Sequence, residues 1–121
     1  MINLFTTASI LDFFNKSSDP SITKINAKTA YEKMQNEKVI IVDVRTPEEF
    51  RAGHIKNAIN IDLYTMSGTQ PKKLPNKEAA ILIYCQSGAR SANAAKQLAK
   101  LGYTNLFDFG GIMNWPYDVV R

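Results

Sequence analysis

Hydrophobic residues along this chain are concentrated in short, β-branched runs separated by more polar segments. The runs at 39–44 and 80–84 have few polar breaks, which is typical of strands covered on both faces in a parallel sheet. Shorter runs at 22–25, 58–61 and 106–109 predict three more strands. The pattern therefore predicts five strands spread along the chain.

Segments with helical periodicity lie between these strands. Asn26 is a suitable N-cap, because the residues after it place apolar side chains at i, i+3, i+4 and i+7. A second helix follows the strand at 80–84, and Gly102 ends it. Its predicted apolar face consists of Ser91, Ala94, Ala95, Leu98 and Leu101.

The segment after the strand at 39–44 carries a helix start signal. Thr46 supplies an N-cap hydroxyl, Pro47 occupies the first helical position, and Glu49 stands where a capping box requires a carboxylate. The negative charges of Glu48 and Glu49 are explained by this cap and by the helix dipole. A short helix is predicted here, ending near Gly53.

This alternation of strands and helices predicts an α/β fold: a three-layer sandwich with a mainly parallel central sheet flanked by helices. Residues 62–77 are polar and contain two prolines and a glycine, so they are predicted to form a long surface loop. Ligands of such folds gather at the carboxyl ends of strands. Cys85 follows the strand at 80–84 and is therefore predicted to lie at an exposed strand end.

The size and composition of the chain fit one globular domain. It has 121 residues, of which 45% are hydrophobic and 21% charged. Its single cysteine cannot form an internal disulfide or a cysteine zinc cluster, so a reducing compartment, the cytoplasm, is expected. A signal peptide is disfavoured because no Lys or Arg precedes Lys16 and Asp12 interrupts the apolar run.

The net charge of +4 comes from basic residues scattered among acidic ones. This scatter argues against a nucleic-acid surface, while mild basicity favours small anions as ligands. No run approaches the ~18 apolar residues of a membrane-spanning helix.

An apolar N-terminal arm, residues 1–20, precedes the predicted domain at 21–121. Its packing on the domain is the favoured interpretation, and a dimer contact or a membrane-surface helix are the alternatives. A monomer or weak homodimer is expected. The arm's apolar residues are Ile2, Leu4, Phe5, Ile10, Leu11, Phe13 and Phe14.

Cys85 is the candidate nucleophile. Small or flexible residues between it and Arg90 allow the backbone to curl, so that amide N–H groups and the start of the next helix point toward the sulfur. Such a cradle favours the reactive thiolate, and the Arg90 guanidinium can hold an oxyanion through two hydrogen bonds. The predicted substrate-binding residues are Gln86, Ser87, Gly88, Ala89 and Arg90.

A buried structural cysteine is the alternative for Cys85. A core cysteine does not require the sequence Gln-Ser-Gly-Ala-Arg directly after it, so the functional interpretation is favoured. A cysteine followed by an arginine five positions later is shared by phosphatases and sulfurtransferases, and the loop alone does not separate them.

Several motifs in order resemble the rhodanese family over residues 22 to 118. They are the loop at Cys85, Ile41-Val42-Asp43-Val44-Arg45, Glu48-Glu49-Phe50, Gly53-His54-Ile55, and Gly110-Gly111-Ile112-Met113-Asn114-Trp115-Pro116. The resemblance implies a sulfurtransferase in which Cys85 takes the outer sulfur of thiosulfate as a persulfide and passes it to an acceptor. A small anionic donor and a thiol, cyanide or protein acceptor are implied, with no metal or organic cofactor.

By the same resemblance, a loop of six residues encloses a sulfur-sized pocket, whereas related phosphatases carry one more residue. Cys85 through Arg90 is the six-residue form. The sequence around the loop also offers no acid to protonate a phosphatase leaving group. A non-catalytic rhodanese-type interaction module and a phosphatase or arsenate reductase remain the alternatives.

Other polar residues receive supporting roles. Asp43 and Arg45 end a strand and are expected to pair with each other or to brace a loop. His54, the only histidine, is expected to be structural, as the resemblance also implies. Lys72 and Lys73 can either draw anions toward the site or simply be solvated.

Trp115, Phe107 and Phe109 are predicted to be core residues.

Overall fold

A computed structural model of the chain describes residues 19–121. Five parallel strands form its main sheet: β1 (Ile22–Lys24), β2 (Ile40–Asp43), β4 (Ile59–Asn60), β5 (Ile81–Cys85) and β6 (Leu106–Gly111). Their order across the sheet is β1–β6–β5–β2–β4. The predicted parallel sheet is therefore confirmed, with strand bounds that differ from the predicted ones by one or two residues.

Two more strands pair with each other outside this sheet. They are β3 (His54–Ile55) and β7 (Val119–Val120), which run antiparallel with His54 opposite Val120. The sequence pattern did not indicate them, because two residues are too few for a period-two signal.

Within residues 19–121, three α-helices connect the strands: α1 (Ala27–Asn36), α2 (Pro47–Ala52) and α3 (Ala89–Lys100). The N-cap side chain of Asn26 accepts a hydrogen bond from the amide of Thr29, as predicted for α1. The capping box at α2 is complete, with Gly53 as its C-cap. Short 3-10 turns lie at Leu63–Thr65 and Ile112–Asn114.

Hydrophobic side chains of β5 point alternately to the two faces of the sheet. Ile81, Ile83 and Cys85 belong to one core cluster, which includes Ala94, Ala95 and Leu98 of α3. Leu82 and Tyr84 belong to the other, which includes Ala30 of α1. Helices thus cover both faces, and the predicted three-layer α/β sandwich is confirmed.

The connection over residues 62–77 is only partly a surface loop. Leu63 and Leu74 within it are buried, and the hydroxyl of buried Tyr103 donates a hydrogen bond to the carbonyl of Leu74. The prediction missed these anchors because isolated leucines in a polar stretch produce no periodic pattern.

The arm at residues 1–20 lies almost entirely outside the described residues, so its predicted packing stays a prediction. Within residues 19–121, no helix has both the length and the apolar character needed to cross a membrane.

Candidate active site

The cysteine loop, residues 85–90, joins the end of β5 to the start of α3. Gly88 has a φ of 120°, in the region that favours glycine, and it caps α3 without a side-chain hydrogen bond. Its amide N–H donates to the Cys85 Sγ at 3.0 Å. The Gly88 amide is thus a donor of the predicted cradle, and it contacts the sulfur at the N-terminal, positive end of α3.

Cys85 itself is buried, with 1% of its surface exposed. The prediction of an exposed sulfur at a strand end was therefore wrong. The strand end is covered because β5 lies in the middle of the sheet and Cys85 joins the core cluster beneath α3. Gln86, Ser87 and Ala89 are at least partly exposed, so the loop presents its backbone and small side chains to solvent above a buried sulfur.

The loop backbone rests on the end of β6. Gly111 approaches Gln86 so closely that no side chain could stand between them. The amide of Met113 donates to the carbonyl of Gln86 at 3.2 Å. Gly111 thus has a structural reason: because it has no side chain, the cysteine loop can lie directly on the sheet.

Arg90 is engaged by a carboxylate from another element. Its NH1 donates to Glu49 Oε1 at 2.7 Å and its NH2 donates to Glu49 Oε2 at 3.0 Å, across 41 residues of sequence. Hydrogen bonding to Arg90 lowers the pKa of Glu49 from 4.5 to about 2. Hydrogen bonding to Glu49 in turn raises the pKa of Arg90.

Sequence reasoning missed this role of Glu49. The capping box was a sufficient local reason for the residue, so nothing in the pattern pointed to a partner far along the chain. The expectation that the loop has no acid to protonate a leaving group stays a prediction, although α2 brings this carboxylate to Arg90. Its low pKa leaves it ionised at neutral pH, and an ionised carboxylate has no proton to give to a leaving group.

Asp43 and Arg45 form the expected ion pair, and it is buried. Arg45 NH2 lies 2.8 Å from Asp43 Oδ2, and the side chains are 5% and 0% exposed. Arg45 also donates to Gln86 Oε1 at 3.3 Å and to the carbonyl of Gly53 at 2.7 Å. Because one guanidinium joins the end of β2, the end of α2 and the cysteine loop, this pair braces the site from below.

A second polar contact holds the start of α3. Ser91 was predicted to lie on an apolar helix face, and it is fully buried there. Its hydroxyl, however, lies within hydrogen-bond distance of Asp108 Oδ1 (2.8 Å) and the Gly88 carbonyl (3.0 Å). Asp108 Oδ1 also accepts from the amide of Gly110 at 3.0 Å. Sequence reasoning missed Asp108 because its partner becomes a neighbour only when β6 and α3 pack together.

The His54 imidazole contacts the C-terminal end of α2, which precedes it in sequence. Its Nδ1 lies 2.8 Å from the carbonyl of Phe50, and the two rings stack with centroids 3.7 Å apart. These contacts fit the structural role that was expected. In residues 19–121, no group of three or more His, Cys, Asp and Glu side chains is arranged to hold a metal ion.

The predicted aromatic core residues all pack on the α1 side of the sheet. Phe109 is buried, while Phe107 and Trp115 are partly buried against the same cluster. Lys72 and Lys73 of the long loop are exposed, and Lys73 Nζ donates to the carbonyl of Asn60 at 2.9 Å. The suggestion that Lys72 and Lys73 attract anions stays a prediction.

Comparison with known proteins extends the resemblance drawn from the motifs. The Rhodanese-like domain family matches residues 26–117. The thiosulfate sulfurtransferase PspE of Escherichia coli is 34% identical over 80 residues, which cover 66% of this chain and 77% of PspE. Two further relatives named as sulfurtransferases are 31% and 32% identical.

An uncharacterized protein of Synechocystis, slr1261, is 38% identical over 101 residues, covering 82% of this chain. The chain spans 55% of the length of that protein. Among solved structures, a rhodanese-related protein from Thermoplasma volcanium superposes with a TM-score of 0.68 at 33% identity, covering 80% of this chain and 96% of that one.

The sulfurtransferase names of these relatives support a sulfurtransferase activity in general terms. The family match over residues 26–117 includes β2 to β6, the cysteine loop and α3. The chain belongs to the rhodanese-like domain family.

Proposed function

We propose that this protein is a sulfurtransferase that carries a sulfane sulfur as a persulfide on Cys85. The observation that supports this most directly is the Gly88 amide donating to the Cys85 sulfur at 3.0 Å, at the start of α3, which no side chain caps. A main-chain donor and the helix dipole both stabilise negative charge on sulfur. The attacking thiolate and the persulfide product each carry such a charge.

The reaction proceeds in two displacements. The Cys85 thiolate attacks the outer sulfur of thiosulfate, the S–S bond of the donor breaks, and sulfite leaves with the electron pair. Cys85 then carries a terminal persulfide sulfur. An acceptor, cyanide or a thiol, attacks this sulfur, the Cys85 S–S bond breaks, and the thiolate returns. Because a covalent intermediate divides the transfer into two easier steps, no metal or organic cofactor is required.

The cysteine loop supplies the remaining groups. Gln86, Ser87, Gly88 and Ala89 place their backbone around the transferred sulfur, and Arg90, paired with Glu49, ends the loop. Asp43 and Arg45 act as positioning residues, because Arg45 holds the Gln86 side chain and the end of α2 at once.

The physiological setting is proposed on the same grounds. The donor is a small compound with a sulfane sulfur, for which the anion thiosulfate is the test case, and the acceptor is a thiol, cyanide or a carrier protein rather than a nucleic acid. A lone persulfide-forming cysteine favours a reducing compartment such as the cytoplasm. A monomer or weak homodimer is sufficient, since every proposed site residue comes from one chain.

Incubation with thiosulfate tests the proposal. Intact-protein mass spectrometry should detect a gain of one sulfur atom, removed by cyanide or by excess thiol. Cys85→Ser should gain no sulfur while keeping the circular dichroism spectrum and melting temperature of the wild type, since the two side chains are similar in size. An unmodified wild-type mass would exclude sulfur transfer from thiosulfate.

The wild type and the Cys85→Ser variant also distinguish between the alternative functions. A folded protein that never accepts sulfur would instead be a rhodanese-type binding module. Hydrolysis of an aryl phosphate or reduction of arsenate, dependent on Cys85, would move the assignment to a phosphatase or a reductase. The ionised state of Glu49 argues against the phosphatase, because this carboxylate is the acidic group held beside Arg90.

A further inference from the structure

Each of the two arginines beside the cysteine loop is matched by a carboxylate. Arg45 is paired with Asp43 in the interior, and both terminal nitrogens of Arg90 are bonded to Glu49. Glu49 takes the end-on pair of donors of Arg90, one from NH1 and one from NH2, and its carboxylate balances the charge of the guanidinium. The Arg90 guanidinium therefore presents no net positive charge to an anionic donor.

Glu49 is held in this position rather than resting on Arg90 by chance. Its Oε1 accepts from the amide of Thr46 at 3.2 Å and from the Thr46 hydroxyl at 3.1 Å. Its own amide donates to the Thr46 hydroxyl at 3.3 Å. The capping box that begins α2 thus fixes the carboxylate that faces Arg90, so the pair is preorganised.

The Arg90–Glu49 pair is partly exposed to solvent, whereas the sulfur atom is buried. The side chains of Arg90 and Glu49 are 23% and 33% exposed, whereas Cys85 is 1% exposed. The rise in the Arg90 pKa comes first from Glu49, and charge at Cys85 adds to it, which places the guanidinium within electrostatic reach of the sulfur. Arg90 and Glu49 are thus more accessible to solvent than the sulfur is.

We propose that Glu49 determines donor selectivity: it disfavours dianionic thiosulfate and favours the persulfide of a thiol as the sulfur donor. This inference rests on the proposed function, because it concerns the same Cys85. It adds a specificity-determining residue outside the cysteine loop and names the class of donor that the site prefers.

The reason is electrostatic. Thiosulfate brings two negative charges, so it must displace a fixed carboxylate from Arg90 or be held close to it, and both cost free energy. A thiol persulfide donates its outer sulfur from its protonated form, R–S–SH, which carries no charge on sulfur and needs no clamp. The Cys85 thiolate attacks that outer sulfur, the donor S–S bond breaks, and R–S⁻ leaves with the electron pair. Cys85 then carries –S–SH, and no external oxidant or reductant is involved.

The chain offers a matched pair of variants. Glu49→Gln removes the charge but keeps an oxygen acceptor, and glutamine is also suited to this position of a capping box. Glu48→Gln makes the same charge change at the neighbouring residue of the same helix turn. Glu48 is 78% exposed and lies 3.7 Å from Arg51 rather than beside Arg90.

The experiment measures the rate of sulfur loading on Cys85 by mass spectrometry, against increasing thiosulfate and against 2-hydroxyethyl persulfide generated in situ. For Glu49→Gln, the thiosulfate concentration that gives half-maximal loading should fall by about tenfold, as expected when a charge-assisted competitor is removed. Loading by the persulfide should change by less than about twofold, since its reacting form, R–S–SH, carries no charge and interacts weakly with the charge at residue 49. Glu48→Gln should behave as the wild type with both donors.

Three results would overturn the inference: an unchanged half-maximal concentration of thiosulfate in Glu49→Gln, the same gain with both donors, or the same gain in Glu48→Gln. Should Glu49→Gln fail to fold, Glu49→Asp replaces it. The shorter side chain weakens the two-bond contact and should shift the thiosulfate value in the same direction, and no shift there counts against the inference. If the wild type accepts sulfur from neither donor, the proposed function itself fails, which is a different outcome.

Discussion

Gly111 packs against the backbone of Gln86 so tightly that a β-carbon on it would lie 2.1 Å from the Gln86 carbonyl oxygen. The backbone of Gly111 is extended, with a φ of −127°, so any residue could adopt its conformation. The glycine is thus required for space and not for its dihedral angles. The position of the cysteine loop depends on an absent side chain in the neighbouring strand.

Gly111→Ala should therefore displace the cysteine loop. We expect a loss of stability of about 1–3 kcal/mol from overpacking, and a sharp fall in persulfide formation because Gly88 and Cys85 lose their alignment. Gly110→Ala is the control: Gly110 has a φ of 84°, and a β-carbon added to it would have no atom within 4 Å, so only backbone strain of about 1–2 kcal/mol is expected. Urea denaturation and sulfur loading measure both variants, and equal loading in the two would contradict the steric argument.

Asp43→Asn should be strongly destabilising. The substitution leaves the buried guanidinium of Arg45 without a counter-charge, which costs about 3–5 kcal/mol when one partner of a buried pair is removed. Chemical denaturation measures the loss. The double variant Asp43→Leu with Arg45→Met removes both charges and should be less destabilised than Asp43→Asn. A cost below about 1 kcal/mol for Asp43→Asn would mean that the pair is solvated in solution.

Ser91→Ala should weaken the junction between α3 and β6. Buried Asp108 loses a hydroxyl partner at 2.8 Å, and we expect the free energy of unfolding to fall by about 1–3 kcal/mol. Asn93→Ala, an exposed position on the same helix, should cost less than about 0.5 kcal/mol. Thermal and urea unfolding of both variants provide the comparison. Equal costs for the two would show that the Ser91 contact does not stabilise the fold.

The Glu49–Arg90 pair should leave a signature in the dependence of stability on pH. The pKa of Glu49 falls from 4.5 to about 2 on folding, so the folded state binds its proton less readily than the unfolded state. The stabilisation is complete above about pH 4.5 and is lost as the pH falls toward about 2. Glu49→Gln cannot titrate, so the stability difference between it and the wild type should shrink over this interval. A constant difference would contradict the assigned pKa.

Local signals in the sequence were sufficient for the secondary structure that surrounds the site. Thr46, Pro47 and Glu49 specify the start of α2 because a capping box involves only residues within one helical turn. Gly102, with a φ of 101°, specifies the end of α3 for an equally local reason. The β-branched runs specified the parallel strands, because a strand buried on both faces must be apolar nearly throughout. Cys85 at the end of β5 followed from these elements.

Only the tertiary structure decided what surrounds the sulfur. Glu49 meets Arg90, and Ser91 meets Asp108, only after the helices pack on the sheet, and no periodic pattern records contacts between residues so far apart in sequence. The burial of Cys85 has the same origin, since a residue at a strand end is covered or exposed according to its neighbours in the sheet. The amino-acid sequence determined the elements and the nucleophile by short-range rules, whereas the charge balance and access of the site arose from long-range packing.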